Sequence, residues 1–170
     1  FIIAEIAQAH DGSLGMAHSY IDAVKDSGAD AVKFQAHFAD KESSKEEKFR
    51  VEFSPQDKTR YDYWSRTSFT TEQWKGLIDH AHSIDLKFVC SPFSVYAAKM
   101  LIDYDVDLIK IGSGDIENTS LVDHLVDNKS PLLVSTGMSS WKEIDQIYNN
   151  LKMHKIDFGL MQCTSMYPTP

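Results

Sequence analysis

Only two cysteines occur in the 170 residues, Cys90 and Cys163. They show no CxxC spacing, which argues against a disulfide framework. Each falls inside a predicted strand and reads as a small buried hydrophobe in a reducing cytosol rather than as a reactive thiol. No apolar run approaches the roughly 20 residues that a membrane helix needs. No linker or low-complexity stretch divides the chain. Positive charge is in deficit: a formal net charge of -8 leaves no general basic face for nucleic acid or an anionic membrane. An anionic substrate stays open, because a few lysines focused in a cleft reverse the local potential. Histidines at metal-ligand spacing are also missing. His80 and His82 stand two apart on a predicted helix and face different ways, while His10 and His37 are read as ordinary polar residues, so no complete metal site is expected.

What the chain does have is rhythm. Short apolar runs at Ile2 to Ala7, Ala31 to Gln35, Lys87 to Ser91, Leu108 to Ile111, Leu132 to Ser135 and Phe158 to Cys163 read as strands. Amphipathic helical patterns separate them, the mark of βα units around a parallel sheet. Thr70 with Gln73, and Ser140 with Glu143, have capping-box spacing. Ser94 is placed as a cap of the helix after strand three. Six strands joined by five crossovers fit either an open doubly wound sheet or most of an eight-stranded barrel of the (β/α)8 TIM type. Polar residues on one strand face favour the barrel: Lys33 and Gln35 alternate with Val32 and Phe34, and Glu5 stands among Ile3 and Ala7. Strands of an open α/β sheet, covered on both faces, tend to be apolar throughout. The chain is expected to hold about the first six βα units of an α/β TIM barrel, within a longer polypeptide that starts upstream of Phe1.

Polar groups close most of these strands, and in a parallel barrel the carboxyl ends of strands converge on one mouth. Lys110 and Ser113 flank a Gly112-containing turn whose amides can cradle an anion. Ser91 and Ser135 lie at strand tips, where hydroxyls can donate to a ligand. Together they describe a ring of donors with almost no competing carboxylates, as a phosphate requires. Glu5 is costly to bury unless paired. Lys33 is its obvious partner, either in a structural ion pair or with Glu5 as a proton-transfer group beside a substrate. The long connection from Phe38 to Ser68 has a charged half, read as a solvated face, and an aromatic half (Tyr61, Tyr63, Trp64) read as a candidate lid.

With these residues in place, the sequence resembles the sialic acid synthase family, N-acetylneuraminate synthase and its legionaminate and pseudaminate relatives. The matching stretches are Ala4-Glu5-Ile6 with His10-Asp11-Gly12-Ser13, then Gly28 to Gln35, Ser91-Pro92-Phe93-Ser94, Lys110-Ile111-Gly112-Ser113-Gly114, Ser135-Thr136-Gly137-Met138 and Cys163 to Pro170, in the family's order. The resemblance implies condensation of phosphoenolpyruvate with an N-acetylated amino sugar, such as N-acetylmannosamine, to a nine-carbon 2-keto sugar acid and phosphate. It implies that Lys110, Ser113, Ser135 and Ser91 hold the phosphoenolpyruvate phosphate and carboxylate, with Ser165 where relatives often place asparagine and Lys33 adding charge. Gln35 and Tyr167 would face the acceptor sugar, and Glu5 would handle a proton near the reacting carbons. It further implies a manganese or magnesium ion with ligands beyond Pro170, a homodimer in the full-length protein, a C-terminal antifreeze-like domain and a cytoplasmic setting. Ala7 and Ala9 replace the glycine and asparagine common in relatives.

Two other classes compete. A Schiff-base keto-acid aldolase would use Lys110 or Lys33 as nucleophile and needs a desolvated lysine with a lowered pKa. A non-catalytic sugar-binding module on a barrel would bind without releasing phosphate.

Overall fold

Apolar residues two apart along each strand, and three or four apart along each helix, build one shared layer between a parallel sheet and the helices that cover it. A computed structural model describes residues 1–49 and 52–166. The strands are β1 (Ile3–Ala7), β2 (Ala31–Ala36), β3 (Lys87–Pro92), β4 (Leu108–Ile111), β5 (Leu132–Ser135) and β6 (Phe158–Met161). The helices are α1 (Leu14–Asp26), α2 (Ala39–Glu42), α3 (Arg60–Thr67), α4 (Thr71–Ser83), α5 (Val95–Asp103), α6 (Thr119–Asp127) and α7 (Trp141–Met153).

All strand pairs are parallel and the spatial order is the chain order, β1 to β6. A doubly wound sheet must reverse its strand order at a switch point. Unbroken sequential order instead belongs to the TIM-barrel type, with its helices on the outside. The expected fold class is therefore the one observed, as six successive βα units.

The strands' outer face carries Val32, Phe34, Phe88, Cys90, Ile109, Ile111, Leu132 and Val134, which pack with Ile21, Trp74, Leu77, Leu101, Leu125 and Leu151 of the helices. Phe34 stacks on Phe88 with centroids 5.5 Å apart and meets the edge of Trp74. The opposite strand positions are those with the chemistry: Glu5, Lys33, Gln35, Ser91, Lys110 and Ser135. In register, Glu5 lies opposite Lys33, Gln35 opposite Ser91, and Lys110 opposite Leu133.

Local signals behave as read. Thr70 with Gln73 and Ser140 with Glu143 form complete capping boxes, and Ser94 accepts a hydrogen bond from the Ala97 amide. One boundary is corrected. The sixth strand ends at Met161, so Cys163 and Thr164 lie outside it. The Met161 carbonyl accepts from both the amide and the hydroxyl of Thr136, each at 3.1 Å, and the chain then runs against Gly137. No described helix is long and apolar enough to cross a membrane.

Candidate active site

Strand alternation carries Lys33 and Lys110 to the sheet face opposite the helix-side core. Lys33 is nearly buried and pairs directly with the half-exposed Glu5 carboxylate, whose other oxygen accepts from the Ala7 amide at 2.9 Å. Burial, and after it the Lys110 ammonium, pull Lys33 down to about 8. Cys90 acts in the opposite sense. Burial also lowers Lys110, opposed by Cys163 and Asp115. The buried Lys33 ammonium, depressed further by the half-buried Lys110, marks a cationic spot which an anion would relieve. The Cys90 thiol is pushed up to about 12 by burial and stays protonated.

The serines stand on the same sheet face or in the loops that follow it. Ser91 and Ser135 are buried at the tips of β3 and β5. Ser113 Oγ accepts from the Gly137 amide at 3.2 Å, which ties the loop after β4 to the loop after β5 and leaves the Ser113 hydroxyl hydrogen to donate. Ser165 lies against the same link: a Cβ on Gly137 would stand 2.6 Å from Ser165 Oγ and 2.9 Å from Cys163. Glycine at 137 is what lets the two segments approach. Glu5, Lys33, Lys110, Gln35, Ser91, Ser113, Ser135 and Ser165 thus occupy successive strands and the loops at their carboxyl ends. Tyr167 lies outside the described residues.

The expectation of a mouth almost free of carboxylates is corrected. Asp115, two residues after Ser113, turns back toward Lys110. Burial pushes its carboxyl up, the Asn118 hydrogen bond holds it down, and Glu42, Lys110 and His37 all act on it. Asp115 was legible as the acid closing the Lys110 to Gly114 turn. Glu42 had no such cue, since it belongs to a charged run read as a solvated face. Its side chain is buried, with one oxygen 2.5 Å from His37 Nδ1 and the other without a hydrogen-bond partner among the described residues.

The long connection acts as a wall. The His37 ring is sandwiched between Trp64 of α3, 3.6 Å away and 6° from parallel, and Phe93, 4.1 Å away and 13° from parallel. Trp64 therefore supports the site through His37. Arg66 fastens α3 in place: its guanidinium bonds Asp57 at 2.8–3.1 Å and Asp11 at 2.8 Å. Ser54 donates to the same Asp57 carboxylate at 2.6 Å. Buried His10, lowered to about 4 chiefly by burial, stays neutral and accepts from the Gly12 amide. Among the described residues no group of three or more His, Cys, Asp or Glu could hold a metal ion. The described side chains alone do not form a divalent-cation site, and the ligands that the resemblance implies lie beyond Pro170.

Comparison with known proteins places these elements in context. The sequence model of the NeuB family matches residues 20–170. The chain is 32% identical over 176 residues to N-acetylneuraminate-9-phosphate synthase of Mus musculus, covering 99% of this chain and 47% of that protein. It is 32% identical over 179 residues to N,N'-diacetyllegionaminic acid synthase of Legionella pneumophila, covering 99% and 49%. A crystal structure of N-acetylneuraminic acid (sialic acid) synthetase from Leptospira borgpetersenii serovar Hardjo-bovis, in complex with citrate, superposes with a TM-score of 0.84 at 28% identity, over 100% of this chain and 56% of that one. The chain spans about half the length of the curated relatives it matches.

Proposed function

Because the chain belongs to the NeuB family, we propose that it serves a synthase joining phosphoenolpyruvate to an N-acetylated amino sugar, giving a nine-carbon 2-keto sugar acid and phosphate. The observation that carries this reading is that buried Lys33 and half-buried Lys110 share one sheet face with the strand-tip serines Ser91 and Ser135. Phosphoenolpyruvate has two anionic groups on three carbons, and such a ligand matches two ammonium groups surrounded by hydroxyl donors. Lys110, Ser113 and Ser135 hold the phosphate, with Ser165 beside them. Ser91 and Lys33 hold the carboxylate, and Gln35 and Tyr167 face the acceptor.

In the reaction, the methylene carbon of phosphoenolpyruvate attacks the sugar aldehyde and forms the new carbon–carbon bond. The aldehyde oxygen takes a proton, water adds to the cationic neighbouring carbon, and the carbon–oxygen bond to phosphate breaks. Glu5, held against Lys33, is the carboxylate placed to move a proton in this sequence. Fixing both reactants against rigid strand ends supplies much of the rate through proximity. We place the protein in the cytoplasm, where phosphoenolpyruvate is made, and read the full-length form as a homodimer.

A product assay on the full-length protein tests this. With phosphoenolpyruvate, manganese and a panel of N-acetylated hexosamines, one phosphate should appear per 2-keto sugar acid formed. Phosphate release from no sugar in the panel, together with covalent labelling of a lysine by borohydride and pyruvate, would favour the Schiff-base aldolase instead.

A further inference from the structure

Gln35 lies on the chemistry-bearing face of β2, between core-facing Phe34 and Ala36. Its side-chain oxygen is 3.3 Å from His37 Nε2, and His37 Nδ1 is 2.5 Å from Glu42 Oε1. We propose that His37 and Glu42 are positioning residues that fix which end of the Gln35 amide meets the acceptor sugar, so that the site presents an N–H donor there. This rests on reading Gln35 as the acceptor-facing residue.

The chain of contacts has little freedom. The His37 and Glu42 side chains are only 4% and 6% exposed, and the stack with Trp64 and Phe93 prevents the imidazole from turning. An oxygen stands opposite each ring nitrogen, Gln35 Oε1 at Nε2 and Glu42 Oε1 at Nδ1, so the amide is turned with its oxygen toward the ring. The Gln35 backbone is held as well, because its carbonyl accepts from Gln8 Nε2 at 3.0 Å. A carboxamide has one acceptor atom and one donor atom. With the oxygen taken by His37, the amino group is what remains for a ligand. The matching ligand group carries a lone pair, as a carbonyl or hydroxyl oxygen does. A protonated amine would set donor against donor. Where Gln35 meets the nitrogen substituent of the acceptor, the site selects an N-acylated sugar over the free amino sugar, and the determinant lies in His37 and Glu42, behind that residue.

Steady-state kinetics of the full-length protein test this with His37→Phe, which keeps a ring in the stack, and Glu42→Gln, which keeps size and shape. Both should raise KM for N-acetylmannosamine about tenfold or more, with KM for phosphoenolpyruvate within about twofold of wild type. Free mannosamine should lose less than the acylated sugar does. Unchanged acceptor KM in both variants, or parallel increases for both substrates, would overturn the proposal. If the wild-type protein forms no product, the functional reading fails separately. The positioning is then decided by NMR of the Gln35 side-chain amide, which shifts in His37→Phe if His37 holds it and stays in place if it does not.

Discussion

Replacing Lys110 by alanine is expected to weaken phosphoenolpyruvate binding by roughly 10- to 100-fold while leaving amino-sugar affinity within about twofold. Lys110 projects from the strand face opposite Ile109 and Ile111, both of which are packed into the helix-side core. Burial already penalises its charge in the free protein. A dianion arriving beside it supplies the missing counter-charge, so the loss should fall on the anionic substrate alone. Ser135→Ala removes one hydroxyl donor from the same place and should act in the same direction more mildly. Calorimetric titration of each ligand separately makes the comparison. Equal losses for both ligands would mean that Lys110 supports the mouth rather than holding the phosphate.

The second large effect concerns the wall. Gly12→Ala should destabilise the fold by roughly 2–5 kcal/mol, read as a fall in the denaturation midpoint at unchanged slope. Gly12 has φ of +82°, a conformation that side chains rarely adopt, and a Cβ there would stand 2.7 Å from the Arg66 backbone oxygen. Neither contact is relieved by rotating a side chain. The loop after β1 and the end of α3 must therefore separate, which pulls against the link from Arg66 to Asp11 and Asp57. An alanine variant as stable as the wild type would show that the two segments are not held in contact in solution.

Much of the frame could be read from local pattern. Val32 and Phe34 alternating with Lys33 and Gln35 told the two faces of β2 apart, because a strand has a period of two. The same rule placed Lys110 opposite Ile109. Thr70 with Gln73 announced the start of α4. What escaped was assembled across sequence distance. Trp64 reaches His37 from 27 residues away in the chain, through a stretch with no periodic signal, and its partner Phe93 comes from another βα loop. Glu42 looked like one charge among many in a solvated run, yet α2 turns it inward onto His37. Cys163 continued an apolar alternation, so nothing local warned that the strand would stop at Met161. At that point the Met161 carbonyl is held by the amide and hydroxyl of Thr136 on the neighbouring segment.

The central claim is that successive strand tips form one pocket for a small, doubly charged anion. It is tested most directly by titrating the full-length protein with phosphoenolpyruvate, pyruvate and inorganic phosphate in turn, at neutral pH and again near pH 9. The folded-state value of Lys33 is about 8, below the ordinary lysine range, so its charge is fully present at lower pH and lost as pH rises through that value. A bound anion favours the charged form, so affinity should be flat below about pH 7.5 and weaken above 8. One saturable site is expected, binding phosphoenolpyruvate more tightly than either fragment, with that decline at alkaline pH. Phosphoenolpyruvate binding no more tightly than inorganic phosphate, at an affinity indifferent to pH between 7 and 9, would contradict it.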